Sequence, residues 1–207
     1  MPTTLLIGGF GVEKVRYAIT ESSDQNGAQS ERNFGPDRWK FSLKAADLMT
    51  LAQASDWEAM SMSLDGRVNH LAVWDPVRLA PAGTLRNTPP TLSTQVNPGD
   101  GSMVISGALT AAGANTPTVF AGDVLQIGSG VGTSQYLKVM ALSTAVSGTM
   151  TILFRNYSRY TFAVGTPVYW DRPICYCKQT GSSIRWDYTT GAPLVGGFGL
   201  ELLEAFS

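Results

Sequence analysis

The stretch RWKFSLKAADLMTLAQASDWEAMSMSLDGRVNHLAVWDP, residues 38 to 76, decides the fold. Its first residues alternate: Trp39, Phe41 and Leu43 fall on one side, Arg38, Lys40, Ser42 and Lys44 on the other. Successive strand side chains point to opposite faces, so this alternation predicts a strand with one face buried. Residues 45 to 64 are rich in Ala, Leu and Met and read as the chain's one helix. Leu48, Leu51, Ala52 and Ser55 recur at spacings of three and four, and after Asp56 the residues Trp57, Met60 and Leu64 continue an apolar stripe. Core packing is the plain reading of that stripe, with the helix braced on the sheet. Asp65-Gly66-Arg67 ends the helix, because Gly66 can take the left-handed conformation that other residues avoid. HLAVWDP then returns as a strand carrying Trp74, and Asp75 before Pro76 reads as a turn residue.

Toward the N-terminus, residues 4 to 43 read as strands with one long polar loop. That loop, SSDQNGAQSERNFGPD at 22 to 37, is a candidate arm that orders against a neighbouring subunit. LIGGFGVEKV holds Gly8, Gly9 and Gly11 but lacks the Lys-Ser/Thr ending of a phosphate loop and the glycine spacing of a dinucleotide fold, so a hairpin or bulge is expected. Toward the C-terminus, residues 81 to 100 collect Pro and Gly and read as a connector rather than a core element. Next come GSMVISGAL, DVLQIGSG, QYLKVMAL and GTMTILFRN, short β runs between turns, the pattern of a small barrel or sandwich closed by VGTPVYW at 164 to 170. From 171 the texture of the first part returns. DRPICYCKQ and SSIRWDYTT look like two strands, and FGLELLEAF reads as a final strand, with helix the alternative. The expected fold class is therefore mainly β with one helix, a β-rich α+β chain. A split sandwich or barrel domain (1–83 plus 171–207) would carry a small inserted β-barrel module at 84–170.

The chain's 207 residues allow one medium domain, or a small one with a second inserted. Charged residues make up 15%, below the usual quarter, and the net charge of −1 gives no electrostatic footprint for nucleic acid. No basic residue precedes the first short apolar run, and no run approaches a bilayer span, so neither export nor a membrane partner is expected. The two cysteines, Cys175 and Cys177, would share one face of a strand. Four zinc ligands are not at hand, with His70 the only histidine, so both thiols read as structural and fit a reducing compartment.

The residues give little support to catalysis. One His in a strand context and no Gly-x-Ser-x-Gly argue against a nucleophile–base pair. Carboxylates for glycoside hydrolysis would have to come from Asp65, Asp75, Asp171, Asp187, Glu201 and Glu204, and Asp75 and Asp171 stand close before prolines, as turn residues do. FRNYSRYTF at 154 to 162 sets aromatics among arginines. Such a segment can stack on sugars or bases, but Tyr and Arg also dominate ordinary interfaces, and interface or core is the favoured reading. No catalytic, cofactor-binding or metal-binding residue is expected, no cofactor, and no enzyme activity.

Taken in order, RWKFSLKA, WEAMSMSL, DGR, VNHLAVWDP, PAGT and TPP, then FAGDVLQIG, YLKVMAL and GTMTILF, resemble the tail-tip proteins of long-tailed bacteriophages. In those proteins a W-x-A-x-x-x-x-L-x-G-R-x-N segment precedes a strand and an Asp-Pro turn, and an inserted module opens on A-G-D-x-x-Q-I-G. The likeness runs over residues 36 to 170. It implies a distal or minor tail protein of the virion, a β-rich ring domain with one helix and an outward β module. It further implies a homo-oligomeric ring, by resemblance a hexamer, between tail tube and tail hub proteins, assembled in the host cytoplasm. Trp39, Trp57, Met60, Leu64, Gly66, Arg67, Trp74 and Asp75 are the structural and interface candidates. The insertion is short for a full lectin-like sandwich, which argues against receptor binding and fits a small oligosaccharide-/oligonucleotide-fold-like or SH3-like barrel better; the alternative function is a carbohydrate-binding tail module without catalysis, using its aromatics for sugar.

Overall fold

A computed structural model describes residues 7–15, 18–22, 29–33, 37–46, 49–86, 88–107, 109–111, 116–181, 194–195 and 198–206. The described chain is mostly β with one helix, in several antiparallel sheets.

The first sheet has five antiparallel strands in the spatial order Ile7–Val15, Arg38–Ala45, Gly199–Glu204, Cys175–Gln179, Leu71–Val73. Alternation fixes which face is buried. Trp39, Phe41, Leu43 and Ala45 are buried, while Ser42 and Lys44 are exposed. Register carries that face across the sheet: Phe41 stands opposite Leu202, Leu43 opposite Leu200, and Cys175 opposite Val73. The other face is polar, with Lys40 paired to Glu201 at 3.1 Å. FGLELLEAF is thus a strand, and it lies in the middle of the sheet between Arg38–Ala45 and Cys175–Gln179.

The helix is Leu51–Ser63, six residues later in onset than the composition suggests. Two local forces set that start. The alternating strand runs on through Ala45, and Met49–Thr50 pairs with Leu194–Val195. Thr50 then caps the helix: its hydroxyl accepts from Gln53 N at 3.4 Å, and the Gln53 side chain accepts from Thr50 N at 2.9 Å. This reciprocal box satisfies two of the orphan donors at a helix start. The expected Leu51, Ala52 and Ser55 face is corrected, since all three are exposed, Leu51 at 64%; Leu48 lies outside the described residues. The buried stripe is Ala54, Trp57, Met60, Ser61 and, just past the last turn, Leu64. Trp57 stacks on Phe198 with ring centroids 6.3 Å apart, which fastens the helix to the residue preceding the central strand. Asp65 and Gly66 reverse the chain with φ of 45° and 63°.

The second sheet has six strands in the order Val168–Tyr169, Val124–Gly128, Ser134–Val139, Thr149–Arg155, Ser102–Ser106, Thr91–Leu92. It encloses its own apolar cluster, with Ile105, Leu125, Ile127, Leu137 and Ile152 at its centre. The sheet curls until its edges meet. Val168 N donates to Pro90 O at 2.8 Å, Leu92 N donates to Thr166 O at 2.9 Å, and Thr91 bridges Pro167. One bridge is not a ladder, so the sheet is curled rather than a closed barrel, and the barrel expectation is corrected to that extent. The connector reading of 81 to 100 is also corrected: Leu85, Leu92 and Val96 are buried in this cluster. Pro90 lacks an N–H but keeps a carbonyl, which suits it to the sheet edge. The segment 22 to 37 is not one loop either. Ala18–Ser22 and Gln29–Asn33 pair as an antiparallel hairpin, while residues 23–28 and 34–36 lie outside the described residues. SSIRWDYTT, including Asp187, also lies outside them.

Candidate functional site

The junction between the two sheets concentrates the buried polar groups. Val124–Gly128 is buried at every position, as a strand covered on both faces must be. Leu125 and Ile127 enter the second sheet's own cluster, whereas Val124 belongs to the cluster of the first sheet and helix. Gln126 lies on the same side as Val124, and its Oε1 accepts from Ile174 N at 2.8 Å, just ahead of the Cys175–Gln179 strand.

Tyr136, on the neighbouring strand, enters the first sheet's cluster. Its ring sits edge-on to Trp39 at 5.6 Å and to Phe41 at 5.9 Å, and Trp39 Nε1 donates to Tyr136 O at 3.3 Å. Such edge-to-face pairs satisfy the ring quadrupoles. Burial, with Asp75 adding to it, pushes the Tyr136 phenol well above its ordinary range.

An ion pair closes the same interface. Arg159 Nη1 stands 2.8 Å from Glu204 Oε1, with side-chain exposures of 9% and 6%. Glu204 Oε2 also accepts from Trp39 N at 3.1 Å. The other side of the guanidinium donates to the Asp37 carbonyl, and its central carbon lies 3.8 Å from the Phe206 ring centre. Burial raises the Glu204 carboxyl above the ordinary carboxylate range, and Arg159 and the Trp39 N–H pull it down only in part. Gln135 aims Arg159. Its side-chain oxygen accepts from Arg159 N at 2.9 Å, and its nitrogen donates to Asn156 O at 2.9 Å and Tyr157 O at 3.1 Å.

Asp123 pins the chain where it passes from one sheet to the other. Its carboxylate accepts from Ala82 N at 2.7 Å, Gly83 N at 3.3 Å and Phe120 N at 2.7 Å. Gly83 is required there, since a Cβ would stand 2.2 Å from Thr118 O. Exit and return lie side by side, with Arg172 N donating to Leu79 O at 2.8 Å. Beside the junction a cleft of about 290 Å³ is lined by Phe10, Val12, Trp39, Arg78, Tyr136 and Lys138, among others.

The candidate residues fall into three places. Trp39 is part of the junction. Trp57, Met60 and Leu64 are core residues of the helix. Gly66, Arg67, Trp74 and Asp75 belong to turns and their surroundings. Arg67 is exposed and donates to the Thr180 carbonyl, Trp74 is half-buried, and Asp75 Oδ1 accepts from Val77 N at 2.8 Å, the turn geometry its sequence suggests. The segment 154 to 162 is largely internal: Phe154 and Phe162 are buried, Arg159 serves the junction, and Tyr157 alone of its aromatics is mostly exposed, at 57%. Asp123, Gln126, Gln135 and Arg159 were not singled out by sequence reasoning, Glu204 entered it only as a hydrolytic carboxylate, and Tyr136, read as an apolar strand residue of the inserted module's own core, packs instead in the cluster of the first sheet and helix. The one available signal was AGD, where a turn Asp follows Gly122.

Glu204 is held by Arg159 and a backbone N–H. Cys175 and Cys177 are buried free thiols with Sγ atoms 3.7 Å apart, and burial pushes the Cys175 thiol well up, which keeps it protonated and unreactive. His70 is pushed down by burial and by Lys178. Among the described residues no group of three or more His, Cys, Asp and Glu is placed to hold a metal, and no helix is long and apolar enough to cross a membrane. No family model matches the chain, and a search of curated proteins finds no match.

Proposed function

We propose that this chain is a structural protein of the tail tip of a long-tailed bacteriophage, a distal or minor tail protein. Its copies form a ring that joins the tail tube to the hub, and it acts without catalysis. The supporting observation is the architecture that accompanies the resemblance of residues 36 to 170. A single-faced sheet with one bracing helix carries a second curled sheet, and the interface between them holds a hydrogen bond from Trp39 to Tyr136 and the Arg159–Glu204 ion pair. Trp39, Gln126, Arg159 and Glu204 link the two sheets by hydrogen bonds and an ion pair, which suits a component under mechanical load. Exposed apolar side chains, among them Leu51, Met62, Val68 and Val77, give such a protein surface to bury against its neighbours.

Native mass spectrometry of the purified chain tests this. A ring protein gives one discrete oligomer, an integer multiple of the 22.1 kDa subunit. A monomer that instead binds glycans on an array would replace the ring by the host-surface recognition module.

A further inference from the structure

The outer face of the second sheet is apolar and cationic. Lys138 and Arg155 stand directly opposite each other on the strands Ser134–Val139 and Thr149–Arg155. Two residues along on the same face, Met140 lies beside Leu153, with Met140 N donating to Leu153 O at 2.9 Å. Met140 is 49% and Leu153 48% exposed. Like charges directly opposite on an antiparallel pair repel. Neither Lys138 nor Arg155 has a carboxylate within 4 Å among the described residues, and the adjacent strands Ser102–Ser106, Ser134–Val139 and Thr149–Arg155 contain no acid. The face therefore holds an apolar pair and a repelling cationic pair, without the anion that would relieve it.

The helix Leu51–Ser63 turns the opposite kind of surface to solvent. Leu51, Ser55, Ala59 and Met62 are all exposed and follow one another at spacings of four, four and three, so they form one stripe along the helix. Leu51 and Met62 stand at its ends, about 16 Å apart at the helical rise, and Ser55 and Ala59 leave a shallow middle that a flat face can approach. Asp56 beside the stripe and Asp65 just past the helix are exposed, and residues 51 to 65 include no Lys, Arg or His. The helix face is thus apolar and anionic where the sheet face is apolar and cationic. That complementarity makes a second copy of this chain the occupant of each. We propose that the helix face of one copy docks on the Met140–Leu153 face of the next, with Asp56 and Asp65 answering Lys138 and Arg155. The two surfaces differ, so the contact is head-to-tail, the kind that closes into a ring when its rotation permits. The inference rests on the ring reading and names its joint.

Sedimentation velocity on the purified chain tests it, with the helix reversal Asp56→Lys/Asp65→Lys, the sheet reversal Lys138→Glu/Arg155→Glu and the variant combining all four, each checked for native circular dichroism. Either reversal alone should raise the concentration needed for assembly by about tenfold or more, the scale of a lost close charge pair. The combined variant should recover most of that loss. An equimolar mixture of the two reversals should recover it too, because every helix then meets a sheet of opposite charge. Leu153→Asp probes the apolar centre independently of those charges and should also weaken assembly. Reversals or a Leu153→Asp chain that assemble like the wild type overturn this joint while the ring stands. So do a combined variant and a mixture that both assemble no better than the reversals alone. A wild-type chain that remains monomeric at every concentration removes the ring reading, and this joint with it.

Discussion

Replacing Arg159 by Met keeps most of the side chain's length and removes its charge. Glu204 would then lie buried, with the Trp39 N–H as its main remaining support. Breaking a buried pair by deleting one partner costs about 3–5 kcal/mol, because the surviving charge is stranded. The Asp37 carbonyl and the Phe206 ring lose a partner as well, so the upper half of that range is expected. Urea unfolding followed by tryptophan fluorescence reads the change directly. Adding Glu204→Gln to Arg159→Met should return much of the loss, since no buried charge remains. The pH dependence gives an independent check. In the folded wild type the Glu204 carboxyl is raised above the ordinary carboxylate range, so between the ordinary value and the raised one the folded state binds more protons than the unfolded state. This group's contribution therefore favours folding below that window and is lost as pH rises through it. Relative to Glu204→Gln, the wild type should gain stability as pH falls through the window. In Arg159→Met the window widens upward, because the largest opposing influence is gone. A cost for Arg159→Met within about 0.5 kcal/mol, the range of surface substitutions, would refute the assignment of this pair as the clasp between the sheets.

Leu64→Ala should cost about 2–5 kcal/mol, since Leu64 is 1% exposed at the base of the helix; a surface-sized change in the same urea titration would put it outside the core. Asp123→Ala leaves the N–H groups of Ala82, Gly83 and Phe120 without their acceptor. It should destabilise the chain by at least about 1–3 kcal/mol and raise amide exchange at 82, 83 and 120; unchanged exchange there would show that water takes over the carboxylate's role. Cys175 and Cys177 should resist a thiol reagent in the native protein and react at the rate of global unfolding, whereas rapid native labelling would contradict their burial.

What the sequence disclosed depended on the range of the interaction involved. Alternation in RWKFSLKA is local, and it names the buried face correctly because a strand's period is fixed by its backbone. Trp57, Met60 and Leu64 were legible for the same reason. The helix start was misplaced because Ala45, Ala46 and Leu48 are good helix formers, and propensity outweighed a sharper signal, Thr50 followed three residues later by Gln53. Leu85, Leu92 and Val96 were hidden among prolines, in a segment with no period to read. The junction was the least visible part. Arg159 and Glu204 meet only because the second sheet returns beside the first, and no local pattern marks that pairing. Tyr136 was read simply as a strand residue of the module. That the strand beside it, Val124–Gly128, is buried at every position is the structural sign of a sheet covered on both faces, and DVLQIG, apolar with little interruption, carried a trace of it.

The central claim is that the chain is a ring-forming component of a phage tail tip. Negative-stain electron microscopy of the purified protein tests it most directly. The account expects closed rings of one rotational symmetry with a central opening, each copy carrying its second sheet in the same orientation. Isolated compact particles of single-subunit size at all concentrations would contradict it.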